Sequence, residues 1–86
     1  MTQRPRLWLY GTEHCHLCEQ AEALVAPIAA AFGWVLEQPD VAEDDALFER
    51  YGERVPVLAR SDRRAELGWP FDARAAQDYL MAPGDC

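Results

Sequence analysis

Leu7-Trp8-Leu9-Tyr10-Gly11-Thr12-Glu13-His14-Cys15-His16-Leu17-Cys18 holds most of the structural information in this chain. Its first four residues are an apolar and aromatic run of strand length, suited to a strand buried on both faces. Gly11 to His14 form a polar loop. From Cys15 to Phe32 the sequence is rich in Ala, Glu, Gln and Leu, the strongest helix formers. The two cysteines therefore fall where a strand hands over to a helix. Three helical residues separate their Cα atoms by about 5–5.5 Å, inside the usual disulfide range of about 4.4–6.8 Å. The unsatisfied N–H groups and the dipole of a helix's first turn favour a thiolate there. Cys15, nearer the helix start, is the expected nucleophile. Cys18, one turn deeper, is the expected resolving thiol that attacks the mixed disulfide on Cys15. His14 and His16 flank Cys15, and a protonated imidazole beside it would stabilise the thiolate and raise the reduction potential. The alternative is that both rings face solvent.

Beyond the cysteines, Leu17, Ala21, Leu24, Val25 and Ile28 recur at three- and four-residue spacing and give the helix one apolar face. Pro27 predicts a kink or break, and Gly33 the end of the helix. Trp34 to Leu36 reads as a second strand, ended by Gln38-Pro39-Asp40. An acidic helix follows from about Glu43 to Tyr51, with Ala46, Leu47, Phe48 and Tyr51 inward and Gly52 closing it. Val57-Leu58-Ala59 is a third strand, Ser61-Asp62-Arg63-Arg64 a turn, and Ala65 to Gly68 a fourth strand. Asp72 can cap a last helix reaching about Met81, with Ala75, Ala76, Tyr79 and Leu80 inward. The order is β-α-β-α-β-β-α. Its first crossover must be parallel and right-handed, and its last two strands form a hairpin. An α/β layer structure with helices on both faces of the sheet is expected, as one domain over residues 1–86.

Val55-Pro56 is the second informative element. Proline cannot sit inside a central strand, so Pro56 must begin one, and a cis bond here would bring the Val55 backbone alongside the cysteines. That backbone could then pair with an extended substrate. Trp69, in Gly68-Trp69-Pro70-Phe71, could add an apolar docking surface; core packing is its simpler role. Cys86 is either an exposed tail thiol or a partner for an intermolecular bridge.

The chain has 86 residues, half of them hydrophobic, and a formal charge of −7. Three cysteines cannot all pair, which argues against a secreted disulfide framework. An acidic surface repels phosphate backbones, so no nucleic-acid partner is expected. Arg60, Arg63 and Arg64 read as a solvated turn, and the carboxylates from Asp40 to Glu53 as an exposed face that aids solubility. The first apolar run is too short for a signal peptide or membrane span, giving a cytoplasmic expectation. Zinc needs four ligands, and His14, Cys15, His16 and Cys18 are too crowded to suit it. Thiol–disulfide exchange without a bound cofactor is the favoured reading. A metal or iron–sulfur carrier, and a non-catalytic adaptor, stay open.

Leu9-Tyr10-Gly11-Thr12, the Cys15-His16-Leu17-Cys18 motif, its Ala-rich helix and Tyr51-Gly52-Glu53-Arg54-Val55-Pro56-Val57-Leu58 together resemble the small bacterial glutaredoxin-like proteins of the thioredoxin superfamily. The resemblance runs from about Leu7 to Leu80. It implies a thioredoxin fold with strand order 2-1-3-4, a cis Val55–Pro56 bond, and a redox-active disulfide regenerated by a cellular dithiol reductant. The departures point away from glutathione. Thr12 stands where glutathione users carry a basic residue, His16-Leu17 replaces their Pro-Tyr, and Arg54 replaces a common Thr. Leu67-Gly68-Trp69-Pro70-Phe71-Asp72 replaces their Gly-Gly cradle. Glutathione, an anionic peptide, should bind such a chain weakly. Protein or low-molecular-weight disulfides are the expected substrates of a monomer.

Overall fold

The computed structural model describes residues 5–13 and 15–85. Four strands form one mixed sheet, in the spatial order second, first, third, fourth. Strand β1 (Leu7–Tyr10) lies between β2 (Leu36–Glu37), which runs parallel to it, and β3 (Val57–Arg60), which runs antiparallel. Strand β4 (Arg63–Gly68) completes the hairpin. The element order β-α-β-α-β-β-α and the strand order are those the sequence and its resemblance led us to expect.

Side chains alternate across β1. Leu7 and Leu9, with Leu58 of β3, enter a larger core beneath α1 (His16–Ala31) and α3 (Ala73–Met81). Tyr10 and Val57 face the other way and meet Val41 and Tyr51 in a smaller core under α2 (Asp45–Tyr51). Helices thus cover both faces.

In α1 the buried residues are Ala21, Val25 and Ala29, with Leu24 and Ile28 packed beside them. Leu17, expected on that face, is 47% exposed: it lies in the first turn, ahead of Ala21, where burial begins. No break occurs at Pro27. Ala23 and Pro27 both lie on the exposed side, so water can satisfy the carbonyl that loses its donor. The helix ends at Gly33, whose φ of 78° suits glycine. The Gly33 N–H donates to the Ala30 carbonyl and the Trp34 N–H to the Ala29 carbonyl, satisfying two groups of the last turn. Trp34 is therefore committed to the helix end, and β2 starts later than expected.

The acidic stretch is not one helix. Asp40 accepts the Ala42 N–H at 2.9 Å and opens a short 3₁₀ turn, Val41–Glu43. Asp44 accepts the Ala46 and Leu47 N–H groups and opens α2. Of the four residues expected inward, Tyr51 is buried and Leu47 half-buried, while Ala46 and Phe48 are exposed. The Phe48 ring folds back toward Gly52, where a Cβ would sit 3.2 Å from two ring atoms. In α3 the expectation holds: Asp72 accepts the Ala75 N–H at 2.8 Å, and Ala76, Tyr79 and Leu80 are buried.

Arg60 departs furthest from expectation. The turn is Ser61-Asp62 alone, Arg63 and Arg64 belong to β4, and Arg60 is 5% exposed. Its guanidinium makes a two-pronged pair with Asp62 at 2.9 and 2.7 Å. It also donates to the Tyr79 and Ala82 carbonyls at 2.7 and 2.6 Å, and stacks 4.9 Å from the Trp34 ring. A buried cation thus closes the C-terminal end of α3.

Candidate functional site

The chain leaves β1 at Gly11, which continues the sheet's pairing. The Gly11 N–H donates to the Pro39 carbonyl and the Val41 N–H to the Gly11 carbonyl. A Cβ on residue 11 would lie 3.0 Å from the Cys18 sulfur, so glycine is what lets the sulfur sit against this strand end. Cys15 follows as the N-cap of α1. Its sulfur accepts the Cys18 N–H at 3.1 Å, the task an oxygen performs in most caps. Cys15 and Cys18 form a disulfide with Cα atoms 5.1 Å apart.

His16 is exposed on the first turn and faces Glu19, with 3.6 Å between Nδ1 and Oε2. His14 lies outside the described residues, as does Cys86. The Val55–Pro56 peptide is cis and Pro56 is buried. The pairing of Tyr10 with Val57 sets Pro56 across from Gly11, the residue that backs Cys18. The Trp69 N–H donates to the Pro56 carbonyl at 3.2 Å, and the half-buried indole meets Phe71 edge to face at 5.1 Å. The structure therefore groups Cys15, Cys18, Pro56 and Trp69 at one end of the sheet. The Val55 N–H is already bonded to the Tyr51 carbonyl at 3.0 Å.

This arrangement, with a Cys-x-x-Cys disulfide at a helix N-cap beside a proline that opens β3, agrees with sequence and structure comparisons. The chain belongs to the glutaredoxin-like family. The family model for the glutaredoxin-like domain (DUF836) matches residues 6–81. The crystal structure of protein XcR50 from X. campestris is 40% identical, covers 90% of this chain and 99% of its own, and superposes with a TM-score of 0.72. The solution structure of XcR50 gives 40% identity, coverage of 92% and 97%, and a TM-score of 0.75. Protein Ne2328 from Nitrosomonas europaea is 28% identical, with coverage of 92% and 94% and a TM-score of 0.73. No curated protein matches.

Beside the disulfide of this glutaredoxin-like chain lies an open cleft of about 260 Å³, bordered by Thr12, Glu13, Cys18, Gln38, Asp40 and Glu43. A second hollow continues past Cys15 to Glu19 and Glu22. No local pattern marks Gln38, Asp40 and Glu43 as neighbours of the cysteines, since that depends on how the β2 exit folds back toward Gly11. The glycine directly after β1 was the available signal for the close approach. On the opposite face, Tyr10 and Tyr51 stack at 4.4 Å. The Tyr51 hydroxyl donates to Glu66, which also pairs with Arg54 at 3.3 Å and Arg50 at 3.8 Å. Burial and the bond to Glu66 push the Tyr51 phenol up to about 12, and burial raises Tyr10 as well. Arg54, next to Val55, is therefore engaged with a carboxylate.

Proposed function

We propose that the chain is a thiol–disulfide oxidoreductase whose Cys15–Cys18 pair cycles between disulfide and dithiol. The observation that supports this best is the cap itself. The backbone N–H of Cys18 already points at the Cys15 sulfur, and in the dithiol it would donate to a thiolate at the positive end of α1. The reduced Cys15 thiolate attacks one sulfur of a substrate disulfide and releases the first thiolate. Cys18, once deprotonated, attacks the Cys15 sulfur, releases the second thiolate and restores the bridge. Two electrons pass to the substrate. A cellular dithiol returns them.

Val55-Pro56 and Trp69 form the docking side for protein or low-molecular-weight disulfides, and His14 and His16 tune the thiol. The protein works as a cytoplasmic monomer with no bound cofactor, nucleic acid or membrane. Glutathione is a poor fit, since Thr12 supplies no cation and the neighbouring side chains are acidic.

Replacing Cys15 with Ser should reduce turnover of bis(2-hydroxyethyl) disulfide to the uncatalysed rate. Cys18→Ser should accumulate a mixed disulfide on Cys15, read by mass spectrometry. Turnover that survives Cys15→Ser would overturn the mechanism. The couple should have a potential between roughly −270 and −120 mV, the range of exchanging pairs; a value below about −300 mV would mark a structural bridge.

A further inference from the structure

We infer that the cleft beside the Cys15–Cys18 pair selects disulfides that carry positive charge next to the sulfurs. The inference rests on the exchange activity proposed above and specifies its substrate. Glu13, Asp40 and Glu43 border the cleft at Cys18, and Glu19 and Glu22 border the hollow that continues past Cys15. Among the described residues no arginine lines either, and the sequence contains no lysine. Four arginines pair with carboxylates elsewhere: Arg6 with Glu37, Arg50 and Arg54 with Glu66, and Arg60 with Asp62.

The carboxylates at the cleft are not spent in the same way. Asp40 caps the 3₁₀ turn, Glu19 faces His16, and Glu22 accepts a hydrogen bond from Gln38 that fixes it at the rim. The side-chain carboxylates of Glu13 and Glu43 have no hydrogen bond or ion pair with any other described residue. Among the described residues they are the cleft carboxylates left to meet a cation. Mere solubility would require acidic charge anywhere on the surface. Here it borders both sides of the reactive bridge, where it can bias which disulfide approaches.

In the step concerned, the Cys15 thiolate attacks a disulfide flanked by ammonium or guanidinium groups. A Cys15–substrate bond forms as the substrate S–S bond breaks, and one cationic thiol leaves. Cys18 then displaces the second cationic thiol. Two electrons from the dithiol reduce the substrate disulfide, the two protons that Cys15 and Cys18 give up reach the leaving thiolates through solvent, and a dithiol reductant restores Cys15 and Cys18.

The test uses the full chain and three small disulfides: cystamine (cationic), bis(2-hydroxyethyl) disulfide (neutral) and 3,3′-dithiodipropionate (anionic). Each rate is divided by the rate of dithiothreitol with the same disulfide, which removes differences in leaving-group acidity. Each nearby carboxylate should change a singly charged partner's rate by about two- to threefold in water. At low ionic strength the normalised ratio of cystamine to dithiodipropionate should therefore be at least about tenfold. It should collapse toward one at about 1 M salt, where the Debye length is roughly 3 Å. Glu13→Gln combined with Glu43→Gln should lower it several-fold at low salt. Both positions are exposed, so the fold should tolerate the change.

A ratio near or below one, or one that ignores both salt and the double variant, overturns the inference but leaves exchange standing if the neutral disulfide reacts through Cys15. Failure of all three to react through Cys15 ends the proposed function and the inference with it. A peptide disulfide with Arg beside each Cys separates the two sources of such charge. If it outpaces cystamine, the substrate is a basic protein segment; the reverse order assigns a small amine disulfide.

Discussion

The two ends of the sheet treat charge in opposite ways. At the N-terminal end of β1, across the strand pair from Leu7, Arg60 is buried, and its donors go to Asp62 and to two carbonyls at the end of α3. At the C-terminal end of β1, acidic side chains stand around a disulfide, and the carboxylates of Glu13 and Glu43 have no described partner. One end is saturated and holds β3, the turn and α3 together. The other keeps polar groups uncommitted next to a reactive bond. Stability and chemistry are thus carried by different charges, about one strand length apart, and either set can be altered with little direct effect on the other.

The sharpest way to break this contrast is Arg60→Ala. It strands two carbonyls and removes the partner of Asp62, and it should cost about 3 kcal/mol by urea denaturation. Arg60→Lys keeps the charge without the planar fork and should recover only part of that loss. Gly11→Ala comes next. It places a Cβ 3.0 Å from the Cys18 sulfur and should destabilise the oxidised protein by about 1–2 kcal/mol. The pair should move toward the dithiol, whose Cys18 sulfur is freer to turn away. Unchanged stability together with an unchanged potential would show that Gly11 does not position the sulfur.

Tyr51→Phe should cost about 1 kcal/mol, since it deletes one bond to Glu66 and leaves the ring stack in place. It also changes the alkaline limb. The Tyr51 phenol is raised to about 12 in the fold, against about 10 unfolded, so the folded state holds the proton more tightly. That contribution is complete below pH 10 and is lost as pH rises from about 10 to 12; Tyr51→Phe should flatten this part of the stability profile. Smallest of all, Glu13→Gln should alter stability by no more than about 0.5 kcal/mol. Such indifference in unfolding, beside a change in substrate preference, is how an uncommitted charge differs from Arg60.

The sequence showed most of the frame and little of this contrast. Strand β1 was legible as a continuous apolar run, α1 from its helix formers and terminal Gly33, and α3 from Asp72 and its inward spacing. These signals are local. Arg60 reads as part of a solvated turn because Arg63 and Arg64 stand beside it, whereas its acceptors include carbonyls 19 and 22 residues away. Strand alternation offered a hint, since Arg60 and Leu58 are two residues apart and share a face. Phe48 reads as a core residue, but a seven-residue helix turns only a narrow stripe to the sheet, which Leu47 and Tyr51 fill. At the site, the Cys-x-x-Cys and Val-Pro motifs were visible. The rim formed by Gln38, Asp40 and Glu43 was not, because it depends on the chain's return past Gly11.

The sulfur cap on α1 makes the bridge a reporter as well as a reagent. Whenever the Cys15 sulfur takes a new bonding partner, the acceptor facing the Cys18 amide proton changes with it. That proton's chemical shift, and its rate of exchange with solvent deuterons, should therefore follow the redox state directly, while amides beside Arg60 stay still. A single nitrogen–hydrogen cross-peak from the first turn of the helix could count oxidised, mixed and reduced molecules in one tube.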